Sequence, residues 1–398
     1  MCSACTPSFA IMAHTSRPRT LAPVRQPDAV TNPPTDLFGF PLATPTAGGA
    51  TTREGGDATR DATRNATPDR TRDGGREAGK ICPVPASADN IALAAQLPSL
   101  VHLGTSSWSF AGWAGLVYAG SYPEARLARD GLAAYAAHPL LRAVSLDRTF
   151  YAPLAEHEYA RYSAQVPDDF RFVVKAPMAL TSSYLRGETG EFADSPYFLD
   201  PGYAIDAFIA PCSAGLGTKA GPLVFQFPPQ GRRVTMNPDP FINQLYRFLT
   251  ALPPGLAYAV EVRDHQLLTT RFFKCLATTS TRFCVASHAK MPSPAEQIKL
   301  MNAHLAPGDF LCRWSLHAGF RYEDAKSRYF PFNRLVDEDI ESRTALAIAA
   351  ANAARAGYAS FVTINNKAEG SAPLSVEKLA QAIVACELGP PSSAAFPA

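Results

Sequence analysis

The chain has 398 residues, of which 46% are hydrophobic, and a formal net charge of +2. That hydrophobic content is sufficient for a large globular core, and the small net charge argues against general attraction to nucleic acid or acidic membranes. No run approaches the roughly 20 apolar residues of a membrane span, and the N-terminus lacks the basic start and apolar core of a secretory signal. The eight cysteines are scattered, which favours free thiols. These features predict a cytoplasmic protein.

The first 98 residues differ in composition from the rest of the chain. They contain three aromatic residues, no Trp and no Tyr, and basic and acidic side chains alternate over residues 51–80. Such a segment cannot bury enough apolar surface to offset the entropy lost on ordering. We therefore predict that residues 1–98 form a disordered low-complexity tail, and that residues 390–398 are disordered as well.

Eight short apolar runs follow, and each ends in a polar or charged residue. They are Val101–Ser107, Leu141–Asp147, Phe170–Ala176, Gly221–Phe227, Ala257–Arg263, Arg282–His288, Asp309–Leu316 and Ala359–Asn366. Helical patterns separate most of them, at Pro123–Ala137, Ala155–Gln165, Pro238–Ala251, Thr269–Ser280, Pro294–His304, Glu338–Arg355 and Pro373–Glu387. Strands that alternate with helices predict an α/β fold with a parallel sheet, and eight such units predict a TIM-type (β/α)8 barrel over residues 99–389.

The third connection of this barrel is too long for a simple loop and helix. It extends over about residues 177–220 and contains several tyrosines, with one helix expected near Ala204–Leu216. Long insertions after barrel strands often cover the mouth of the barrel. A surface excursion without such a role is the alternative.

Chemistry in this type of barrel lies at the carboxyl ends of the strands. Side chains alternate along a strand, so Ser145 and Asp147 share one face, as do Glu261 and Arg263. The residues between them are apolar, which predicts that the charged groups point into the lumen and the apolar groups point at the helices. Arg313 follows the same alternation in its own strand.

The predicted mouth carries more basic than acidic groups. Arg148, Lys175, Arg263 and Arg313 stand against Asp147 and Glu261. This excess suits a small anionic or polyhydroxylated ligand, such as a phosphorylated sugar or a carboxylate. The alternative is that these residues form structural ion pairs, for example Glu261 with Arg313 or Asp147 with Lys175.

We therefore select two sets of candidate site residues. The catalytic candidates are Glu261, Asp147 and Lys175. The ligand-binding candidates are Ser106, Trp108, Tyr151, Gln226, Arg263, Arg313, His317, Asn365 and Asn366. The two carboxylates could act as an acid/base pair, as glycosidic cleavage requires.

A divalent metal is a weaker alternative. Asp147, Glu261, His288 and His317 lie at or after four different strand ends, but no two of them stand at the short spacing typical of a metal site. We predict no metal site, and the sequence names no cofactor. Glycine-rich phosphate loops, a nucleophile elbow and a dinucleotide-binding fingerprint are also absent from the sequence.

At these positions the chain resembles a known family. The matching residues run in order along about 101–384: Gly104-Thr105-Ser106-Ser107-Trp108-Ser109-Phe110 with Trp113, Gly115 and Tyr118; Thr149-Phe150-Tyr151 with Pro153; Pro167, Phe170, Phe172 and Lys175 with Thr181; Phe225-Gln226-Phe227-Pro228-Pro229; Glu261-Val262-Arg263; Arg313; and Asn365-Asn366 with Gly370 and Ala372. Their order and spacing resemble the YecE-like family, domain of unknown function 72. The resemblance implies a TIM-type barrel whose activity is not established.

The chain departs from that family pattern at several positions where proton-transfer groups are expected. Serine replaces an acidic residue at Ser145, His at Ser182, Asp at Ser287 (or His288) and His at Ser315, with His317 two residues later as a substitute. The pattern also has Asn where this chain has Asp147, and a Trp where it has Gln266 or Leu267. If the family is enzymatic, these departures imply an altered or inactive member.

Three functional hypotheses follow. The leading one is an enzyme-like barrel that acts on a small anionic or sugar-like substrate, with Glu261 as acid/base and Lys175, Arg263 and Arg313 holding the anion. The second is a non-catalytic ligand-binding or scaffold barrel with a degenerate site. The third is a metal-dependent hydrolase or a nucleic-acid processing enzyme, and nucleic acid is disfavoured by the small net charge.

Overall fold

The computed structural model describes residues 79–186, 191–317 and 319–388. The predicted disorder of residues 1–78 and 390–398 therefore concerns parts of the chain outside the described residues. In the described ranges, no helix is long and apolar enough to cross a bilayer.

Ten strands form in the described residues, eight of them in a closed barrel. In chain order they are β1 (Val101–Thr105), β2 (Ala143–Leu146), β3 (Arg171–Lys175), β4 (Tyr184–Arg186), β5 (Phe192–Asp194), β6 (Ala220–Phe227), β7 (Tyr258–Val262), β8 (Arg282–Ser287), β9 (Phe310–Trp314) and β10 (Ser360–Ile364). Around the barrel the order is β1-β10-β9-β8-β7-β6-β3-β2, and every pairing is parallel. The predicted (β/α)8 barrel is confirmed, and each barrel strand lies within its predicted run or begins one residue before it.

The barrel strands are buried on both faces because helices cover the outside and side chains fill the lumen. The lower lumen is a small apolar cluster, in which His102 also stacks on Phe361 with ring centroids 5.0 Å apart. Its apolar members are Val173, Val224, Ala259, Cys284, Leu311 and Phe361. The alternate residues, among them Val144, Val260 and Cys312, pack in the main core under the helices. The predicted division of the strand faces is therefore confirmed.

The helices lie between and around the strands. They are α1 (Ala88–Gln96), α2 (Glu124–Asp130), α3 (Leu132–Ala136), α4 (Glu156–Ser163), α5 (Met178–Thr181), α6 (Pro201–Ala204), α7 (Ala210–Leu216), α8 (Arg232–Met236), α9 (Asp239–Thr250), α10 (Thr270–Thr278), α11 (Pro294–His304), α12 (Tyr322–Tyr329), α13 (Ile340–Arg355) and α14 (Ala372–Leu388). One π-helical turn, Ile205–Ile209, joins α6 to α7. Short 3₁₀ turns follow several strands. The predicted helices match these bounds within about two residues, except that Gly131 divides the first into α2 and α3.

The segment before the first barrel strand differs from the prediction. Helix α1 lies inside the range predicted to be disordered, and the Oγ atom of Ser87 accepts a hydrogen bond from the backbone N–H of Asn90 at its start. Ile81 and Leu97, on either side of the helix, are buried in the main core. Residues 79–98 are therefore packed against the barrel, with Ile81 and Leu97 as buried anchors and Leu93 and Ala94 partly buried between them.

The long third connection contains two parts. Residues 201–216 form the barrel helix after β3, which approaches α4 so closely that a Cβ atom on Gly215 would lie 2.4 Å from the backbone oxygen of Glu156. The true insertion is the preceding segment, with α5 and the antiparallel hairpin of β4 and β5. It packs against the loop after β6, where Gln230 donates to the backbone oxygen of Thr181. The insertion therefore lies at the rim of the mouth.

Closure of the barrel between β1 and β2 depends on Gly104. A Cβ atom at this position would lie 1.8 Å from the backbone oxygen of Ala143, its pairing partner. We expect Gly104→Ala to lower the free energy of unfolding by about 3 kcal/mol or more, because the two strands must separate. Urea unfolding followed by circular dichroism measures this change.

The matched control is Gly120→Ala, where the new Cβ atom would make ordinary contacts at 3.5 Å with the Tyr122 ring. Its expected effect is below about 1 kcal/mol. Equal stability of the two variants would show that the close strand approach does not constrain the barrel.

Candidate functional site

Arg313, on β9, is the centre of the polar layer above the apolar lumen. Its Nη2 atom donates to both carboxylate oxygens of Asp147, at 2.9 and 2.8 Å, from the end of β2. Its Nη1 atom donates to Glu261 on β7 at 2.9 Å and to Gln226 on β6 at 3.1 Å. One guanidinium therefore joins four strands, a geometry that suits its planar array of donors.

Glu261 is fully buried, and both of its oxygens are engaged. One faces Arg313, and the other forms an ion pair with Arg263, two residues further along the chain. Burial by itself would raise the pKa of Glu261, but Arg263 and Arg313 more than offset it and hold the pKa below its ordinary value. A carboxylate in this state does not donate a proton at neutral pH, so the geometry favours the structural ion pair that was the alternative for Glu261 with Arg313.

The other predicted ion pair, between Asp147 and Lys175, is replaced by the pair of Asp147 with Arg313. The Oγ atom of Ser145 also donates to Asp147, at 2.6 Å. Asp147 thus holds three hydrogen bonds from protein groups, and it fixes the guanidinium of Arg313 rather than facing the solvent.

Lys175, at the end of β3, differs from its charged neighbours. Its side chain is 5% exposed, and its Nζ atom lies 3.4 Å from the centre of the Phe150 ring. Within the described part of the chain, neither Asp147 nor Glu261 forms an ion pair with it. Burial, together with the charges of Arg313 and Arg263, lowers the pKa of Lys175 to about 7, against the opposing effect of Asp147 and Glu261.

The charges of this layer explain why the protonated form of Lys175 is disfavoured. Two carboxylates and two arginines balance each other, so a protonated Lys175 adds a positive charge that no described carboxylate pairs with. A buried ammonium without a counter-ion is costly and tends to lose its proton. The sequence predicted the five residues correctly as neighbours, and the structure assigns them different roles.

The predicted asparagines and Ser106 have mainly structural contacts. Asn365 donates to the Oγ atom of Ser106 at 2.8 Å and accepts from the backbone N–H of Lys367. Asn366 is buried, and its Oδ1 atom accepts from the Trp113 indole at 3.1 Å and from the backbone of the last helix. The pair of Asn365 with Ser106 lies at the top of the lumen. Asn366 holds the loop after β10 in place.

Three further candidates lie away from the polar layer. Trp108 is buried against Tyr162, and its indole donates to the backbone oxygen of Leu127. Tyr151 is partly exposed and packs edge-to-face on Phe150, with ring centroids 5.5 Å apart. His317 lies in the loop after β9, where its ring packs on a neighbouring phenylalanine. The structure therefore places Trp108 in the core and the other two at the rim.

The serines that replace expected proton-transfer groups are all hydrogen-bonded within the chain. Ser145 donates to Asp147, Ser182 to the backbone oxygen of Tyr184 at 2.6 Å, and Ser287 to that of Leu316 at 2.7 Å. Ser315 makes a longer bond, at 3.4 Å, to the backbone of Arg313. These hydroxyls stabilise the local structure.

A cleft of about 460 Å³ opens beside this layer, between the loops that follow β6, β7 and β8. Its walls carry three basic groups, Arg232, Arg263 and Lys290, and Asp264, whose carboxylate accepts from the backbone of Gln230 at 2.6 Å. The lining residues are Pro229, Gly231, Arg232, Thr235, Arg263, Asp264, His265, Gln266 and Lys290. Sequence reasoning selected Arg263 alone of these. Basic residues in the connections after β6 and β8, with Arg232 at the start of α8, were the signal that could have indicated Arg232 and Lys290.

The described residues show neither a clustered set of metal-ligand side chains nor a disulfide. They contain no group of three or more His, Cys, Asp or Glu side chains arranged to hold a metal ion. The described cysteines, from Cys82 to Cys386, are free thiols. His288 lies beside Arg263, and burial and that positive charge lower its pKa to about 4.

The Arg313 network makes a direct prediction. Arg313→Met leaves Asp147 and Glu261 without their shared partner in a buried layer, so we expect a loss of about 3–5 kcal/mol in the free energy of unfolding at neutral pH. The loss should shrink as the pH falls, because protonation neutralises the carboxylates. Arg271→Met, in the exposed pair with Asp239, is the control, with an expected effect below about 1 kcal/mol. Similar losses in both variants would contradict the central role of Arg313.

Replacing Lys175 is expected to change the free energy of unfolding in the opposite direction from replacing Arg313. Because its pKa of about 7 in the folded chain lies below the ordinary value for lysine, the unfolded chain binds more protons above pH 7, and the wild type gains stability as the pH rises towards 10. We expect Lys175→Met to be more stable than the wild type by about 1–4 kcal/mol at pH 6–7, with the gap shrinking towards pH 10. Urea unfolding across this range measures it, with the exposed Lys274→Met as control. A stability difference between Lys175→Met and the wild type that does not change with pH would contradict the lowered pKa of Lys175.

Comparison with known proteins supports the fold. The sequence matches the family model described as "Protein of unknown function DUF72" over residues 102–395. Similar solved structures include a DUF72 family protein from Enterococcus faecalis V583, with 17% identity, a TM-score of 0.50 and coverage of 71% of this chain and 95% of that one. Another is from Thermotoga maritima MSB8, with 20% identity, a TM-score of 0.49 and coverage of 71% and 98%. No curated protein matches the chain.

The order of motifs along the strands, the eight-stranded barrel and the extent of the family match agree with one another. The chain belongs to the DUF72 family of proteins of unknown function.

Proposed function

We propose that this barrel binds a small anionic ligand at the carboxyl ends of its strands, in the cleft between the loops after β6, β7 and β8. The observation that carries the proposal is the placement of Arg232, Arg263 and Lys290 on three successive loops around one space of about 460 Å³. That volume is within the range of small-molecule sites, and the position is the usual one for ligands of such barrels.

Arg263 is the anchor of the proposed site. Its ion pair with buried Glu261 holds the guanidinium in place, and a guanidinium has five N–H donors, so donors remain for a ligand at the cleft. An anion that binds a guanidinium already held in position loses less conformational entropy than one that must order a flexible side chain. Arg232 and Lys290 are exposed and add positive charge at the rim.

The remaining cleft residues favour a ligand that also carries hydroxyl groups. Thr235, Asp264, His265 and Gln266 offer hydrogen-bond donors and acceptors around the same space. A carboxylate or phosphate ester of a hydroxylated compound fits this combination of charge and polarity.

Carboxylate acid/base catalysis receives less support from the geometry than binding does. Glu261 and Asp147 are held by arginines, and the serines at the altered positions are hydrogen-bonded to the protein. We therefore favour a barrel that binds its ligand without acid/base catalysis by Glu261 and Asp147.

The proposal predicts that inorganic phosphate, succinate and ribose 5-phosphate raise the melting temperature, and that at least one of them binds measurably by calorimetry. In the double variant Arg232→Ala, Lys290→Ala the dissociation constant should rise about tenfold or more, because two charged contacts are lost. Higher salt should weaken binding to the wild type, because the attraction between exposed charges is screened.

The control is Lys274→Ala on α10, which removes an exposed positive charge outside the cleft. It should bind as the wild type does. Equal binding by the control and the double variant, or no binding of any of the three anions, would contradict the proposed site.

A further inference from the structure

The position of Lys175 gives it a chemical property that its neighbours lack. Its amine lies in the upper lumen on the face of the Phe150 ring, with arginines on two other strands nearby. The carboxylates that could hold it as an ammonium are both paired with arginines. Desolvation and an adjacent cation are the two conditions under which a lysine side chain becomes a nucleophile.

We propose that Lys175 is a nucleophilic amine that forms a Schiff base with the carbonyl carbon of an anionic aldehyde or ketone bound at the mouth. This inference rests on the proposed function, because the anion is the group that the cleft holds. Arg263 connects the two regions: it lines the cleft, and its charge acts on Lys175. The ligand class is thereby narrowed to small oxo acids and open-chain sugar phosphates.

The reaction needs only the carbonyl compound and one proton, which the solvent supplies. The neutral amine of Lys175 attacks the carbonyl carbon, and a proton moves from nitrogen to oxygen to give a carbinolamine. Protonation of that hydroxyl group lets it leave as water, and the nitrogen lone pair forms the C=N bond. The protonated imine carries one positive charge, as the ammonium form of Lys175 does, so the charge at this position rises by one when the neutral amine reacts.

Two features of the site favour this product. The Phe150 ring, 3.4 Å from Nζ, stabilises a positive charge at nitrogen in the imine as it does in the ammonium. The pKa of Lys175, about 7, leaves a large fraction of the amine neutral at physiological pH. An ordinary lysine is neutral in only about one molecule in 2,000 under the same conditions.

The test is reductive trapping with the full chain. Pyruvate, glycolaldehyde phosphate and ribose 5-phosphate are each incubated with the protein and sodium cyanoborohydride, and the modified lysines are identified by peptide mass spectrometry. We expect a stable adduct at Lys175 with at least one probe. At pH 7 its yield should exceed that at exposed Lys274 by about tenfold or more, and the trapping rate at Lys175 should rise with pH through about 7.

Two variants and non-carbonyl probes make the result specific. Lys175→Met should lose the adduct at this position while still binding lactate or glycerol 3-phosphate, which carry the anion without a carbonyl group. Lys274→Met should keep it. In the Arg232→Ala, Lys290→Ala double variant the adduct should form more slowly at low probe concentration, because the cleft no longer holds the anion.

The outcomes separate this inference from the proposed function. Anion binding without a preferential adduct at Lys175 would overturn the Schiff base and leave the binding site in place. An adduct at Lys175 that is equally fast with an uncharged aldehyde such as glycolaldehyde would support the nucleophile and contradict the anion site. Absence of both binding and adduct would overturn both.

Discussion

The four contacts of Arg313 determine how the upper half of this barrel is built. A guanidinium on β9 extends into the lumen and contacts Asp147 after β2 in one direction around the barrel, and Glu261 on β7 and Gln226 on β6 in the other. Many barrels fill this level with branched apolar side chains. Here an ionic layer takes their place above the apolar cluster, so the stability of the mouth depends on charges that balance one another and on the hydrogen bonds that hold them.

This balance decides which groups are free for chemistry. The same contacts that pack the layer hold Glu261 as an anion between two arginines and fix Asp147 by three hydrogen bonds. Both carboxylates are occupied by arginines, and the lowered pKa of Glu261 keeps it ionised at neutral pH. Lys175 completes the layer without a carboxylate partner among the described residues, and its protonation is disfavoured by burial and by the arginines.

The fold was predictable from the sequence, whereas the pairing of charges was predictable only in part: Glu261 with Arg313 was one of the alternatives, and Asp147 with Arg313 was not. A single sequence contains the local patterns that identify barrel strands. These patterns are the short apolar runs and the alternation of residues such as Ser145 and Asp147. Arg313 and Asp147 are 166 residues apart, and their contact depends on the order of strands around a closed barrel. Helix α1 was missed for a related reason: none of its own residues is fully buried, Leu93 and Ala94 pack only partly against the core, and the buried residues Ile81 and Leu97 flank it.

The replacement at Ser145 bears on the charges around the buried amine of Lys175. In the family pattern, the positions of Ser145 and Ser315 carry groups able to transfer protons, and here the first stabilises Asp147 and the second bonds to the backbone of Arg313. A further acidic group at position 145 would add a negative charge beside Asp147 and would favour the ammonium form of Lys175. The family pattern, however, has Asn where this chain has Asp147, so this strand end contributes one carboxylate in either case, here at position 147 instead of position 145. At position 147 that carboxylate is bound to Arg313, and no ion pair joins it to Lys175 among the described residues.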